Sequence, residues 1–214
     1  MTSKLRQNSF TLDDVKITGR SLLFEARGRV ECFTFRHRRH DGVWSENVRR
    51  ELYCVGEASH VLIWDPAHDA VLLVEQFRPA GLVWNEPTWL IEGIAGMIDD
   101  GETPEETARR EAREEAGCRV TELYKVATIF SSPGSVGERT HLFCATADLS
   151  DAHDNFHGLD AEHEDIRTLV VPLEQALEAV DEGRVQDVKT MALLQWLARN
   201  RHRVESILPR PSLE

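Results

Sequence analysis

The sequence predicts an α/β protein preceded by a small β unit, and three observations carry that expectation. Two hairpin signatures come first, a helix with start and stop signals at its ends follows, and two segments of helical apolar spacing come late in the chain. A chain of 214 residues can bury one sizeable core and still carry a smaller appendage.

Taken in order, the segment from about Lys16 to Val55 reads as short strands. RVECFTFRHRR and NVRRELYCV flank the turn pair Asp41-Gly42, which marks a hairpin. A second hairpin joins SHVLIW to AVLLVEQF through DPAHD, and its nearly continuous apolar strands predict burial on both faces. RPAGLVWNEPTW is a loop of turn formers and tryptophan. Thr103 is placed to N-cap a helix, with Pro104 at its first position, Glu106 completing a capping box and Gly117 ending it in a left-handed turn. YKVATIF, RTHLFCATA and IRTLVV read as strands, and the polar DLSDAHDNFHGLDAEHED reads as a loop. PLEQALEAVDEG and DVKTMALLQWLARN carry helical spacing, with Leu173, Ala176, Leu177 and Val180 on one face of the first. The expected division is a β unit over 1–57, a catalytic domain over 58–202 and a tail over 203–214.

Composition narrows the function classes. A net charge of -12 repels polyanions, and the basic run Arg36 to His40 sits at a hairpin end where a solvated edge explains it, so no nucleic-acid partner is expected. No run approaches the roughly 20 apolar residues of a membrane helix, so no membrane partner is expected. The first residues lack the apolar core of a secretory signal, which predicts a cytoplasmic protein. Cys32, Cys54, Cys118 and Cys144 have no paired spacing, so buried free thiols are expected rather than disulfides or a zinc knuckle.

The chemistry concentrates in RREAREEAG, Arg109 to Gly117. Helical spacing puts Glu111, Glu114 and Glu115 within one sector of roughly 100°. Arg110, four residues from Glu106 and from Glu114, suits an ordinary salt-bridged face. Ala108, Ala112 and Ala116 form a small-residue stripe beside the glutamates, however, which lets a strand approach and puts the carboxylates at the border of core and solvent. Hard divalent cations suit such a cluster, and Mg²⁺ also binds substrate phosphates. Upstream, Gly96 and Gly101 provide tight turns, and the Ala95 carbonyl is a further candidate ligand.

In order and spacing, Gly96, Glu102, Arg110, Glu111, Ala112, Glu114, Glu115, Gly117 and Cys118 resemble the Nudix box. VLLVEQFRPAG, WLIEGIAGMIDDGE, SSPGSVGE and AEHEDI extend the likeness over about 48–200, most closely to the ADP-ribose pyrophosphatase branch. Pro133, fifteen residues after Cys118, occupies a position associated with ADP-ribose hydrolases. The resemblance implies a Nudix α/β/α sandwich with a mixed sheet, the N-terminal β unit being exchanged across a homodimer. It implies hydrolysis of ADP-ribose, or a related nucleoside diphosphate sugar, with two to three Mg²⁺ ions per site and Mn²⁺ as a substitute. Glu111, Glu114, Glu115, the Ala95 carbonyl and Glu164 would be metal ligands, with Glu111 and Glu115 counted as catalytic. Glu162 would be the base, although it and Glu164 can exchange roles. Glu102 and Arg110 would brace the loop and helix. Arg78, Arg49, Arg50 and Glu138 would contact substrate, and Phe33, Phe35 or Trp44 would stack on adenine. Three other readings compete: a GDP-mannose or other sugar-nucleotide pyrophosphatase, a non-catalytic ADP-ribose sensor and an RNA-end hydrolase.

Overall fold

The computed structural model of the protein describes residues 10–150, 152, 155–159 and 164–208. The chain forms two compact units, Met1–Gly56 with Ser132–Glu138, and Glu57–Ser131 with Arg139–Glu214.

The first unit is an antiparallel sheet in the order β1 (Val15–Glu25), β2 (Arg29–His37), β3 (Val48–Cys54). Gly42 turns the hairpin between β2 and β3 with φ +82, a conformation glycine adopts without strain. The run at Arg36 to His40 is engaged locally. Arg36 donates to the Ser45 carbonyl, Arg38 lies over Trp44 and near Asp14, and Arg39 pairs with Asp41. Ser132–Glu138, expected within the catalytic domain, groups instead with this unit. The reason is hydrogen bonding: Tyr53 N–H donates to the Ser135 carbonyl at 2.9 Å, and Gly137 N–H donates to the Tyr53 carbonyl at 2.8 Å. Such pairing over more than 70 residues of chain leaves no local sequence signal.

The second unit contains β4 (Glu57–Asp65), β5 (Ala70–Phe77), β6 (Trp89–Glu92), β7 (Ile94–Met97), α1 (Pro104–Ala116), β8 (Leu123–Ile129), β9 (Arg139–Thr146), β10 (Phe156–His157), β11 (Ile166–Pro172), α2 (Leu173–Asp181) and α3 (Val188–Ile207). Its sheet runs β10-β11-β5-β4-β9-β8 and is mixed, because β4 pairs with β9 in parallel while its other pairings are antiparallel. β4 and β5 pair only near their turn, at Ile63–Asp65 with Ala70–Leu72. Beyond it β7 lines β4 at Ala58–Val61, and β6 lines β5 at Val74–Phe77. The β6–β7 segment therefore fills the fork between two diverging strands.

Alternation along the central strands builds a core on each face. Val61, Ile63, Leu72, Val74, Phe143 and Ala145 pack with Ala108 and Ala112 of α1. Leu62, Trp64, Val71, Leu73, Leu142 and Cys144 pack with α2 and α3 through Leu173, Leu193, Leu194 and Leu197. The result is an α/β/α sandwich whose middle strands are apolar on both sides. α3 continues past the expected end of the domain at 202, because Val204 and Leu208 extend its buried stripe. Among the described residues no helix is long and apolar enough to cross a membrane.

Candidate active site

α1 begins and ends on its own signals. Thr103 caps Glu106 N–H while the Glu106 carboxylate returns to Thr103 N–H, Pro104 opens the helix, and Gly117 closes it at φ 60. Ala108 and Ala112 are buried against the sheet, and this close seat brings the neighbouring glutamates to the edge of the core. Glu115 is only 2 % exposed. The Glu111 and Glu114 side chains are 12% and 30% exposed.

Arg110 cannot balance this cluster alone. It donates to Glu102 at 3.0 and 3.1 Å, to Glu111 at 2.7 Å, to Glu114 at 2.9 Å and to the Met97 carbonyl at 3.2 Å. One guanidinium thus serves three carboxylates and a carbonyl, and Glu115 lies beyond its hydrogen bonds. Glu115 instead accepts the Ala95 N–H at 3.1 Å. Burial pushes the Glu115 carboxyl up to about 8, with the charges of Glu111 and Glu164 adding to the rise. Burial likewise raises Glu111 to about 7, Arg110 opposing and Glu114 and Glu164 reinforcing. Glu102 moves the other way, to about 2, because Arg110 hydrogen-bonds its charged form. Glu102, just before α1, and the two glutamates on α1 are thus pushed in opposite directions.

The glycine loop is shaped around this cluster. A Cβ on Gly96 would lie 1.7 Å from Glu111 Oε1, so only glycine leaves room for the carboxylate beside β7. A carboxylate pair short of positive charge, against a backbone bared by glycine, fits a hard divalent cation held by oxygen ligands. Glu164, in the loop before β11, is near enough for its charge to add to the upward shifts of Glu111 and Glu115. Glu162 lies outside the described residues.

Arg78, at the end of β5, directs Nε and Nη2 onto Glu92 at 2.9 and 2.8 Å. Burial disfavours its charge, but Glu92, then Glu115 and Asp187, outweigh this and raise its pKa. Sequence reading missed Glu92; the available signal was a lone acid in the apolar run WLIEG, which requires a buried cation. Arg49, Arg50 and Glu138 lie in the first unit. Arg49 and Arg50 are exposed on β3, where Arg49 Nε donates to Cys32 Sγ at 2.8 Å and pairs with Glu51. Of the three aromatic candidates, Trp44 is already covered by Lys16 and Arg38, each 4.6 Å from its ring centre, and Phe33 lies under Arg20.

A second grouping with metal-ligand chemistry, Asp65, His68 and Asp148, sits at the β4–β5 turn. Asp65 gives its oxygens to Ala67 N–H, Leu149 N–H and His68 Nδ1, so its geometry is that of a turn staple.

A glutamate helix following a glycine loop in an α/β/α sandwich defines the Nudix architecture, and the NUDIX domain model matches residues 56–194. The chain belongs to that family. It is 41% identical over 189 residues to the ADP-ribose pyrophosphatase of Escherichia coli (strain K12), covering 88% of this chain and 90% of that protein. It is 40% identical over 194 residues to the ADP-ribose pyrophosphatase of Haemophilus influenzae, 89% of each. It is also 43% identical over 150 residues to the GDP-mannose pyrophosphatase of Cronobacter sakazakii, 70% of this chain and 77% of that protein.

Proposed function

We propose that the protein hydrolyses the pyrophosphate of ADP-ribose, with water, to AMP and ribose 5-phosphate, using Mg²⁺ or, in its place, Mn²⁺. The observation that carries this reading is the pair of a largely covered Glu111 and a buried Glu115, under-neutralised by Arg110. The choice of ADP-ribose is supported by relatives of that name aligned over about nine-tenths of both chains. Those named for GDP-mannose align over less, which keeps that substrate as the second reading.

Glu111, Glu115, Glu114, Glu164 and the Ala95 carbonyl would hold two to three ions. When bound, these ions neutralise the pyrophosphate and activate the attacking water. The protein's own groups orient and move protons. Arg78, fixed by Glu92, presents positive charge to a substrate phosphate. Glu162 is assigned as the base that takes the proton from water, on the strength of the family resemblance. Arg110 and Glu102 hold the helix and glycine loop in register.

Arg49, Arg50 and Glu138 would reach the substrate in a homodimer. The exposed apolar residues Ile17, Leu22, Leu23 and Phe24 of β1, with Trp84 before β6 and Trp89 at its start, supply surface of the kind that dimers cover. The four free thiols suit the cytoplasm.

A panel of ADP-ribose, GDP-mannose, NADH and diadenosine polyphosphates with Mg²⁺, read by product identification, tests the assignment. ADP-ribose turned over with the highest kcat/KM is the expected result. A clear preference for GDP-mannose would transfer the protein to the second reading, and tight ADP-ribose binding without cleavage would make it a sensor.

A further inference from the structure

β6 and β7 meet at Gly93, and its N–H donates to the Thr190 hydroxyl of α3 at 2.7 Å. The two residues are 97 positions apart and both buried. The Thr190 hydroxyl has one proton and gives it to Asp187 Oδ2, also at 2.7 Å, which leaves its lone pairs for incoming donors. Asp187 is held in turn: it caps α3 through Thr190 N–H at 2.8 Å and binds Lys189 Nζ at 2.6 Å.

His60, buried on β4, completes the group, with Nε2 3.3 Å from Thr190 Oγ1. Because the hydroxyl proton is committed to Asp187, His60 meets Thr190 as the Nε2–H tautomer. Its Nδ1 has no partner among the described residues, so Thr190 is the polar contact of that ring. Gly93 fits against the same ring, where a Cβ would lie 2.6 Å from Nε2. Four donors thus converge on one hydroxyl–carboxylate pair, two of them, Gly93 N–H and His60 Nε2–H, on the hydroxyl, and the backbone of Gly93 is clamped between α3 and His60.

What flanks Gly93 gives the clamp its consequence. Glu92, the residue before it, holds Arg78, and Ala95, two residues after it, donates its N–H to Glu115. These groups hang from the short segment filling the β4–β5 fork, where the strand pairing changes partners. We propose that Thr190 is a positioning residue for the hydrolysis: its hydroxyl, oriented by Asp187, fixes Gly93 and with it the Glu92–Arg78 pair and the Ala95–Glu115 contact. The proposal rests on the reading above that Arg78 meets phosphate and Glu115 meets metal.

The competing account is that Thr190 merely stabilises α3. Thr190→Val, close in shape but without the hydroxyl, separates the two when the whole chain is followed by three readouts: melting temperature, kcat and KM for ADP-ribose with Mg²⁺, and calorimetric titration of the metal-free protein with Mn²⁺. Loss of a supporting hydrogen bond behind a ligand predicts Mn²⁺ binding and kcat/KM each weaker by roughly tenfold or more, measured well below the melting temperature. Thr190→Ser, which keeps the hydroxyl, restores both to within about twofold of wild type. A lowered melting temperature with unchanged kinetics and unchanged Mn²⁺ affinity overturns the proposal. If Thr190→Val does not fold, Asp187→Ala serves instead, since it leaves the hydroxyl but removes its acceptor; the same two losses are expected, and wild-type values overturn the idea. A wild-type protein that fails to hydrolyse ADP-ribose defeats the functional reading alone, because the Mn²⁺ titration still judges the role of Thr190.

Discussion

At the scale of single residues, the contrast between Arg110 and Glu115 decides what α1 is for. Arg110 is spent on Glu102, Glu111, Glu114 and the Met97 carbonyl, whereas Glu115 is buried with one backbone N–H as its donor. Glu115→Gln removes that charge without changing shape. Activity should fall by more than the roughly 10–100-fold that loss of an outer-shell partner costs. In a chelator near neutral pH the variant should melt no lower than wild type, since burial already holds the Glu115 carboxyl protonated and the amide replaces one neutral group with another; a metal-free variant melting far below wild type would contradict this. The same chemistry sets a pH dependence. Glu111 and Glu115 are raised from 4.5 to about 7 and about 8 in the metal-free protein, so folding takes up protons there. Their contribution to metal-free stability is complete below about 4.5 and is lost as pH rises to about 8. Metal binds the ionised forms, so its stabilisation grows over that window. At a fixed Mg²⁺ concentration the rise in melting temperature should be larger at about pH 8 than at about pH 6, and the reverse order would count against these ligands.

At the scale of elements, α1 was legible because its signals are local. A capping box, a proline at N1 and a C-terminal glycine act within a few residues, and the structure realises each of them. Thr103→Ala should cost about 1 kcal/mol by chemical denaturation, the usual worth of such a cap, while an unchanged midpoint would show that the helix is held by packing alone. The hairpin β4–β5 was equally plain, its apolar strands being buried on both faces. β6 and β7 were not foreseen as strands. Each has four residues, too few for a periodic pattern, and they exist because the fork between β4 and β5 offers unpaired edges. The end of α3 was placed too early because RNRHR is polar, although Val204 and Leu208 continue its buried face.

At the scale of the whole molecule, the box helix could be read from its local pattern, but the surroundings of Arg78 and Gly93 could not. Glu92, Asp187, Thr190 and His60 meet through pairings across as many as 130 residues, which composition and periodicity do not encode. The union of Ser132–Glu138 with the N-terminal sheet is of the same kind. The homodimer proposed from β1 and the tryptophan loop belongs at this scale. Sedimentation at micromolar concentration should give twice the 24.3 kDa chain mass, and a monomer active on ADP-ribose would remove the proposed roles of Arg49 and Arg50 across an interface.

The claim on which the rest depends is metal-dependent cleavage of ADP-ribose by the α1 carboxylates. Incubating the protein with ADP-ribose, with Mg²⁺ or with chelator, and identifying products by mass spectrometry tests it directly. The expected result is AMP and ribose 5-phosphate in equal amounts with Mg²⁺, none with chelator, and none above background for Glu115→Gln. Undiminished product in chelator, or from Glu115→Gln, would contradict it.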